Sequence, residues 1–524
     1  MSYWSTMKLL PLILLTVSAS AAATPCAGLS ELTLSGATVT TAQSVPAGSF
    51  TPPEGPPIPS VPAFCRVALV VKPSADSNIQ VEVWLPASNW NGKFQGVGNG
   101  GFAGSIGYGG MANAVAHGYA TASTDTGHHA GGTDASWALD HPEKIVDFGY
   151  RATHETALKA KAIINAFYGE GPKRSYFSSC SNGGRQALME AQRYPADYDG
   201  IIAGAPANYW TRLLTQAVVN IQATLGDSAG YISAAKLPAI QNAALAACDA
   251  NDGVKDSVIE DPAQCRFDPT VLLCKGAESD SCLTQPQLAT LKKLYAGPRN
   301  SKGEPIMPGY SPGGEAEPGG WAAWITGPSP AKSLLYAFGT QFFSNMVFDQ
   351  PSWDWKTFQV DRDMKIADDK MAGILNAGVA DLKNFQARGG KLILYHGWSD
   401  AAIPAQSTIN YYRSVEKKMG ARQVAQFVRL YMVPGMEHCG GGAGASSFGQ
   451  GGVPQGDPQH DIDAALERWV EQNSPPAEII ASKLNSGTNP ASGIARTHPL
   501  CPYPQKAYYN GGGNTDDAAN FVCK

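Results

Sequence analysis

The chain has 524 residues and a formal net charge of −5, and only 16% of its residues are charged. This length predicts two or more domains, and the sparse charge with no basic block argues against a nucleic-acid-binding protein. The 57 glycines and 37 prolines indicate long ordered loops, and we find no internal repeat.

The N-terminus has the pattern of a secretory signal peptide. Lys8 precedes an apolar run over 9–17, and Ala21-Ala22-Ala23 then offers an A-x-A cleavage site. We therefore predict a signal peptide over residues 1–23 and a secreted or periplasmic mature chain with no membrane association. The alternative is an uncleaved anchor, although the run is short for a span and no later stretch reaches about 18 apolar residues.

Ten cysteines follow the signal, and an even number in an exported chain indicates disulfides. A zinc site is the competing interpretation, but it requires C-x-x-C pairs, which the sequence lacks. Short-range pairing accounts for eight of the ten and leaves Cys180 and Cys439. The predicted short-range bridges are Cys26–Cys65, Cys248–Cys265, Cys274–Cys282 and Cys501–Cys523.

Strand and helix patterns alternate over much of the chain. Residues 26 to about 65 are proline-rich and are predicted to form an N-terminal arm poor in β-structure. Beyond them, the alternation favours a mostly parallel α/β sheet. The predicted strands are 65–71, 79–85, 94–97, 119–123, 175–178, 200–205, 391–395 and 427–433. The predicted helix over 147–168 has Leu158, Ala162, Ile163 and Phe167 on its apolar face.

The alternation stops after Pro206 and resumes at Lys391. The intervening sequence holds helical patterns at 233–248 and 284–295, cysteine-bounded loops and a segment rich in aromatic residues. We interpret residues 213–384 as a lid domain inserted into one catalytic domain, which is formed by residues 24–212 and 385–524. A helix over 461–471 precedes the tail.

Ser181 lies at a sharp strand–turn–helix junction. It follows the strand 175–178 and precedes a helical pattern over 183–194, as the nucleophile of a G-x-S-x-G elbow does. Gly183 occupies the second glycine position, but Ser179 stands at the first. On this stretch alone, an ordinary exposed serine is an equal alternative.

Asp400 and His438 also follow the ends of predicted strands. Acyl transfer by a serine requires a base and a carboxylate that holds the base. Each residue alone could be an ordinary loop residue, but the order Ser, Asp, His at three strand ends is that of α/β-hydrolases. We therefore predict the fold class α/β, with an α/β-hydrolase fold that carries a large inserted lid domain.

The two remaining cysteines flank this set of residues. Cys180 immediately precedes Ser181, and Cys439 immediately follows His438. A disulfide between them would hold their Cα atoms about 5.5 Å apart. Such a bridge would bring the nucleophile and the base within hydrogen-bonding reach.

A glycine-rich run over 98–104 follows the strand at 94–97. It can bring a backbone N–H to a developing oxyanion, and we predict Gly101 as that donor with Asn182 N–H as the second. A phosphate-binding loop is the alternative, but the run lacks a lysine and the G-x-G-x-x-G spacing.

Closely spaced carboxylates surround Gly253 between Cys248 and Cys265. This composition suits a hard cation with oxygen ligands, although the spacing is not that of an EF-hand. A solvated acidic loop is the plain alternative, and it is the usual state of an arbitrary acidic run.

Together these motifs resemble the tannase and feruloyl esterase family, which includes mono(2-hydroxyethyl) terephthalate hydrolases. The resemblance spans about residues 26–523. It implies an α/β-hydrolase core with a lid, five disulfides with Cys180–Cys439 beside the triad, and hydrolysis of esters of aromatic acids. The motifs that carry it are Cys180-Ser181-x-Gly183-Gly184-Arg185, Gly397-x-x-Asp400, His438-Cys439 and Cys248-Asp249-x-x-Asp252-Gly253-x-x-Asp256.

The resemblance also implies a structural Ca²⁺ in the lid. Its implied ligands are the side chains of Asp249, Asp252 and Asp256 and the backbone carbonyls of Val254 and Val258.

Two departures from the family make a terephthalate monoester a less favoured substrate. Ile403 stands where the terephthalate-ester enzymes have an aromatic residue, and residues 327–348 contain no arginine to hold a second carboxylate. We predict a secreted serine carboxylesterase for ferulate or gallate esters, with Ser181, Asp400 and His438 as its triad. The predicted contacts to the substrate are Trp321, Trp324, Phe338, Phe342 and Ile403.

Three alternatives to this function stay open. The first is a terephthalate monoester hydrolase-like activity, and the second is a peptidase or lipase that uses the same triad. The third is a catalytically silent protein that binds polyphenols or carbohydrates. The sequence indicates no oligomeric state.

Overall fold

The computed structural model describes residues 1, 23–450, 457–487 and 489–524. The predicted signal peptide therefore lies, apart from its two end residues, outside the described residues. No helix within the described ranges is long and apolar enough to cross a membrane.

Fifteen strands are present in the described part of the chain, nine of them in one large sheet. The strands are β1 Ala37–Val45, β2 Gly48–Phe50, β3 Ile58–Val61, β4 Phe64–Val71, β5 Ile79–Pro86, β6 Lys93–Val97, β7 Ala120–Thr124, β8 Arg174–Cys180, β9 Gly200–Gly204, β10 Lys391–Gly397, β11 Val428–Val433, β12 Ile479–Leu484, β13 Ile494–Leu500, β14 Ala507–Tyr509 and β15 Phe521–Cys523.

The large sheet has the strand order β1-β4-β5-β7-β6-β8-β9-β10-β11. Strands β7, β6, β8, β9, β10 and β11 run parallel to one another, and the hairpin β4–β5 joins them antiparallel with β1 at the edge. All the parallel strands therefore end at one edge of the sheet, the edge that carries Ser181.

Strand β10 shows how the sheet is buried on both faces. Leu392 and Leu394 pack into the apolar cluster on one face, whereas Ile393 and Tyr395 pack into the cluster on the other. Because successive side chains of a strand point to opposite faces, a strand covered on both sides has to be apolar throughout. This is the α/β architecture that the alternating pattern predicted.

The α-helices are α1 Tyr108–Ala116, α2 Pro142–Val146, α3 Ala152–Tyr168, α4 Asn182–Arg193, α5 Trp210–Leu225, α6 Leu237–Cys248, α7 Gln285–Ala296, α8 Trp321–Trp324, α9 Leu334–Gln341, α10 Val360–Ala367, α11 Gly373–Leu375, α12 Lys383–Ala387, α13 Gln406–Met419, α14 Ala421–Val424 and α15 Ile462–Gln472. Helices α5 to α12 lie between β9 and β10, where the sequence predicts the lid.

The apolar face predicted for the helix over 147–168 is wrong in part. Leu158 is 42% exposed and Ala162 is exposed, whereas Ala157, Ala160 and Ile164 are buried. The segment Asp147–Arg151 between α2 and α3 is π-helical. A π-helical turn accommodates an extra residue, so it shifts the buried face of the helix that follows.

The prediction that residues 26–65 form a β-poor arm is also wrong. Strand β1 pairs antiparallel with β4 over its whole length and forms the edge of the large sheet, and β2 pairs with β3. The prolines that suggested an arm lie at position 46 and between 52 and 62, beyond the edge strand. Pro59 lies in β3, which pairs only with β2, so β3 is an edge strand. Proline disturbs an edge strand less than a central one, because one side of an edge strand donates no ladder hydrogen bonds.

Candidate active site

Ser181 occupies a strained turn between β8 and α4, with φ 67° and ψ −126°. Such a turn presents the hydroxyl beside the first N–H groups of a helix. The structure also explains how Ser179 replaces the expected glycine. A Cβ at Gly183 would lie 1.9 Å from Ser179 Oγ, and one at Gly98 would lie 2.8 Å from it. These two glycines provide the space that the Ser179 side chain needs.

The three predicted triad residues form one hydrogen-bonded relay. Ser181 Oγ lies 2.9 Å from His438 Nε2, and His438 Nδ1 lies 2.8 Å from Asp400 Oδ2. The side chain of Asp400 is fully buried, and that of His438 is 11% exposed. In this geometry the imidazole can take the serine proton while the carboxylate holds the ring in place.

Asp400 is held by more than His438. Its Oδ1 accepts hydrogen bonds from the amides of Ala402 and Ile403, each 2.8 Å long, and its Oδ2 lies 3.1 Å from His396 Nε2. Burial alone would raise the pKa of Asp400, but His438 and His396 hold that pKa well below its ordinary value. His396 was not predicted from the sequence, although its place four residues before Asp400 at the end of β10 was a usable signal.

A disulfide joins the segments that carry Ser181 and His438 at the level of the backbone. Cys180 and Cys439 are bonded with an S–S distance of 2.02 Å and a Cα–Cα distance of 6.0 Å. The other four pairs that the sequence predicts are also bonded, and the described residues contain no free cysteine.

The predicted oxyanion donors lie beside Ser181. Gly101 and Asn182 both line the cavity above the serine. The neighbouring amides of the glycine-rich loop are used internally, since Phe102 N donates to Gly132 O and Ala103 N donates to Gly100 O. Within the described part of the chain, no backbone carbonyl outside the helix and strand ladders accepts a hydrogen bond from the amide of Gly101 or of Asn182. They are therefore available to a substrate oxygen.

The cavity above Ser181 has apolar and aromatic walls. Trp324 stacks parallel to Phe338 with ring centroids 6.0 Å apart, and it also meets the ring of His438 edge-on at 5.0 Å. None of the described residues that line the cavity is a lysine, an arginine or a carboxylate. Besides Gly101, Ser181, Asn182 and His438, the lining residues are Ala207, Trp210, Leu213, Leu214, Trp324, Leu335, Phe338, Ala402 and Ile403.

Three of the five predicted substrate contacts line this cavity, namely Trp324, Phe338 and Ile403. Trp321 and Phe342 do not, and this corrects the prediction for both. Trp321 is 1% exposed and packs in the core of the inserted segment, and Phe342 is fully buried against Phe343. An aromatic-rich segment does not reveal which rings face a cavity and which fill the core.

Trp210 lines the cavity but was not predicted from the sequence as a substrate contact. It begins α5, six residues after the end of β9. Because β9 is parallel to β8, its carboxyl end lies at the same edge as Ser181. Its place after a strand that ends at this edge was the signal that could have found it.

Arg185, the last residue of the motif that contains Ser181, has a structural role. Its guanidinium is fully buried and donates to the carbonyls of Gly149 at 2.8 Å and Phe148 at 3.0 Å, and to Asn182 Oδ1 at 2.8 Å. Arg185 therefore links α4, the helix that follows Ser181, to the π-helical segment Asp147–Arg151.

Glu437 is an unexpected buried acid beside the base. It is 2% exposed, and neither carboxyl oxygen has a hydrogen-bond partner in the described part of the chain. Burial, together with Asp400, Glu317 and Glu315, raises the pKa of Glu437 to about 10. The buried position of Glu437 therefore favours its neutral acid form, and no sequence motif identified this residue.

Four of the five implied calcium ligands line one small depression. Asp252, Val254, Asp256 and Val258 surround it together with Glu260. Asp249 is buried nearby, where its two oxygens accept the amides of Asp256 and Ser257.

The donor chemistry of this acidic loop fits Ca²⁺, because carboxylate and carbonyl oxygens are its preferred ligands. Burial, with Glu260 and Asp256 adding to it, raises the pKa of Asp252 to about 6. A bound cation would offset this electrostatic cost. Arg496, which forms an ion pair with Asp256, also faces the depression.

Comparison with known proteins gives a consistent result along nearly the whole chain. A family model described as tannase and feruloyl esterase matches residues 65–524. An uncharacterised esterase of Xanthomonas campestris pv. campestris is 46% identical over 543 residues, which cover 99% of this chain and 94% of the relative. A probable feruloyl esterase B-2 of Aspergillus terreus is 32% identical over 465 residues, covering 88% of this chain and 86% of the relative.

Solved structures agree with these relatives. The crystal structure of feruloyl esterase B from Aspergillus oryzae matches with a TM-score of 0.88 at 32% identity, covering 95% of this chain and 99% of that one. Tannin acyl hydrolase from Aspergillus niger shares the fold, with a TM-score of 0.75 at 24% identity over 96% of this chain and 94% of that one. The predicted α/β-hydrolase-type fold is thereby confirmed.

Proposed function

Because the chain belongs to the tannase and feruloyl esterase family of carboxylic ester hydrolases, we propose that it is a secreted serine carboxylesterase for esters of phenolic aromatic acids, such as ferulate or gallate esters. The observation that carries this proposal is the Ser181–His438–Asp400 relay, which lies at the floor of a cavity with aromatic walls. Five disulfides support export, since such bridges persist in oxidising compartments.

In the proposed reaction, Ser181 Oγ attacks the ester carbonyl while His438 Nε2 accepts the hydroxyl proton. The imidazolium returns this proton to the leaving alcohol, and the acyl group stays on the serine. Water then attacks the acyl-enzyme with His438 as its base, and the free acid and Ser181 are restored. The ionised Asp400 favours the imidazolium form in each half of the cycle.

The carbonyl oxygen becomes negatively charged in both tetrahedral intermediates. The amides of Gly101 and Asn182 border the cavity at Ser181 and support a role as the oxyanion donors. Donors of this kind stabilise the transition state more than the ground state, and losing one typically costs about 3–4 kcal/mol.

The walls of the cavity support a neutral aromatic ring as the acyl group. Trp324 and Phe338 offer parallel ring faces close to His438, and Ile403 adds an aliphatic surface. A terephthalate monoester would bring a second carboxylate into this space. The described lining contains no lysine or arginine to pair with that carboxylate, so it favours ferulate or gallate esters.

We also propose that residues 213–384 act as a lid that carries a structural Ca²⁺. Asp249, Asp252 and Asp256 would hold the ion with the carbonyls of Val254 and Val258, and the ion would neutralise crowded carboxylates. The loop lies against the segment that carries His438, since a Cβ at Gly435 would lie 3.1 Å from Val258 Cγ2.

The substitution Ser181→Ala tests the function. Wild type and variant are assayed on methyl ferulate, methyl caffeate, methyl gallate and mono(2-hydroxyethyl) terephthalate, with the exposed-site variant Ser301→Ala as the control. We expect Ser181→Ala to lose at least about 10⁴-fold in kcat and Ser301→Ala to retain activity.

A fluorophosphonate probe should label the wild type and Ser301→Ala but not Ser181→Ala. Full activity of Ser181→Ala would refute the proposal. A wild type that the probe does not label and that binds phenolic esters without cleaving them would instead identify a silent binding protein.

A further inference from the structure

A cluster of side chains of the metal-ligand type lies toward the C-terminal end of α4, the helix that follows Ser181. His154 lies on α3, Glu190 on α4, and Asp197 in the connection from α4 to β9. One nitrogen or oxygen atom from each of the three side chains lies within 4.8 Å of the other two. The cluster therefore joins three separate parts of the chain at one point.

Glu190 is the most deeply buried member. It is fully buried, and neither of its carboxyl oxygens accepts a hydrogen bond from an N–H or hydroxyl group in the described part of the chain; the polar group that faces it is the carboxyl group of Asp197. Native proteins rarely leave a buried carboxyl group without hydrogen bonds, because its desolvation is then uncompensated. Two facing carboxyl groups beside an imidazole need a positive partner, which is either a proton between the two carboxyl groups or a metal ion in its place.

His154 is held in an orientation suited to a metal ligand. Its ring stacks on Tyr194 with centroids 3.7 Å apart and an interplanar angle of 7°. Its Nδ1 lies 2.6 Å from Asp197 Oδ2, and its side chain is 23% exposed. The ring is thus fixed by packing, and its exposed edge gives an ion a route from solvent.

The charges around the cluster leave room for a cation. Lys161 is the nearest cationic side chain, and it donates a hydrogen bond to the backbone carbonyl of Asp197. One ammonium group does not neutralise the carboxylates of both Glu190 and Asp197. The cluster therefore keeps a net negative charge when both acids are ionised and His154 is neutral, which is the form of the ring that binds a metal.

We propose that His154, Glu190 and Asp197 bind a divalent transition-metal ion, with Zn²⁺ as the ion that fits best. Zinc accepts imidazole nitrogen at about 2.0–2.1 Å and carboxylate oxygen at about 2.0–2.2 Å, so tetrahedral ligand atoms lie about 3.4 Å apart. The ligand atoms of the three groups lie within 4.8 Å of one another, and the Nδ1–Oδ2 pair of His154 and Asp197, now hydrogen-bonded at 2.6 Å, would open by about 0.8 Å if both atoms bound one ion. An imidazole ligand distinguishes this site from the all-oxygen acidic loop, because Ca²⁺ and Mg²⁺ prefer oxygen.

A bound ion would link α4, the helix that follows Ser181, to α3. Glu190 lies in the same helix that Asn182 begins, and His154 belongs to the helix packed beside it. An ion that binds both residues stabilises the folded chain, because the unfolded chain does not bring the three ligands together. This role is structural, and it stands or falls independently of the esterase function.

Zinc binding can be measured on the full mature chain. The protein is freed of metal, supplied with one equivalent of Zn²⁺ in excess Ca²⁺ so that the acidic loop stays occupied, and gel-filtered. We expect one retained zinc per chain and a rise of about 2–4 °C in the unfolding temperature. His154→Ala and Glu190→Gln should lose both, whereas His141→Ala, which breaks an isolated His–Asp pair with Asp76, should retain both.

The Co²⁺-loaded wild type provides a readout that does not depend on the stability of any variant. Tetrahedral coordination by His154, Glu190, Asp197 and one water predicts intense visible d–d absorption, which one equivalent of Zn²⁺ abolishes. The proposal is overturned if the wild type retains no zinc and shows no such absorption. It is equally overturned if His154→Ala and Glu190→Gln bind zinc as the wild type does.

Discussion

Cys180 and Cys439 lie 6.0 Å apart at their Cα atoms, and each is the sequence neighbour of a residue in the Ser181–His438 relay. The strands that lead to them, β8 and β11, are separated in the sheet by β9 and β10. Strand spacing alone would leave the two ends about 14 Å apart. The loop after β11 therefore reaches back across the sheet edge, and the bridge holds it there.

Removing this bridge should impair the relay as well as the fold. We expect Cys180→Ser/Cys439→Ser to lose about 100-fold in kcat, because His438 is no longer fixed at Ser181. The chain-entropy model also assigns the bridge about 5 kcal/mol of stability. Steady-state kinetics well below the unfolding temperature measures the effect on kcat.

The matched control is Cys501→Ser/Cys523→Ser, which opens a remote bridge of sequence separation 22. It should lose about 3 kcal/mol of stability and keep a wild-type kcat. Equal kcat values for the two double variants would show that the bridge at the relay has no positional role.

The substitution Gly101→Ala tests the proposed oxyanion site. The φ of Gly101 is +55°, and a Cβ there would lie 2.3 Å from Gly132 O. We expect Gly101→Ala to displace the amide and to lower kcat by about 10²–10³-fold. The neighbouring control is Gly100→Ala, where a Cβ would meet nothing within 4 Å. If both variants keep wild-type kcat for methyl ferulate, Gly101 is not a donor.

Calcium removal tests the acidic loop. Chelation by EGTA should lower the unfolding temperature of the wild type, because the carboxylates of Asp252 and Asp256, which are only partly exposed, then repel each other. Asp252→Asn should lose calcium by elemental analysis and lose the response to EGTA. Asp280→Asn, at an exposed acid of the same segment, should behave like the wild type. An unchanged calcium content in Asp252→Asn would contradict the assignment.

Glu437 should make stability fall with rising pH. Its folded-state pKa is about 10, against an ordinary value of 4.5, so the folded chain binds more protons than the unfolded chain between these values. Its contribution is fully present below pH 4.5 and is lost toward pH 10, with a slope of at most about 1.4 kcal/mol per pH unit.

Denaturant unfolding between pH 5 and about 9 measures this slope. We expect Glu437→Gln to flatten it, since a glutamine binds no proton in either state. Glu170→Gln, at an exposed acid, should keep the wild-type slope. A slope in Glu437→Gln that equals the wild-type slope would mean that Glu437 is ionised in the folded protein.

Local patterns were sufficient for the parts of the fold that depend on neighbours in sequence. The strands around Ser181, Asp400 and His438 were predicted because burial on both faces requires continuous apolar runs. The π-helical segment before α3 was not predicted, and the helix face that follows it was misplaced. An extra residue in one turn leaves no local signature in the apolar spacing.

The sequence by itself determined the family, the α/β-hydrolase-type fold and the order of Ser181, Asp400 and His438, because each is written in adjacent residues or in chain order. Only the tertiary structure decided that His396 supports Asp400, that Trp210 rather than Trp321 lines the cavity, and that Glu437 is buried beside the base. Trp210 reaches the cavity from a segment far from Ser181 in the chain, whereas His396 and Glu437 are sequence neighbours of Asp400 and His438. In each case the burial and the partners of the side chain depend on the packing of the sheet edge and the inserted helices, which proximity in the sequence does not determine.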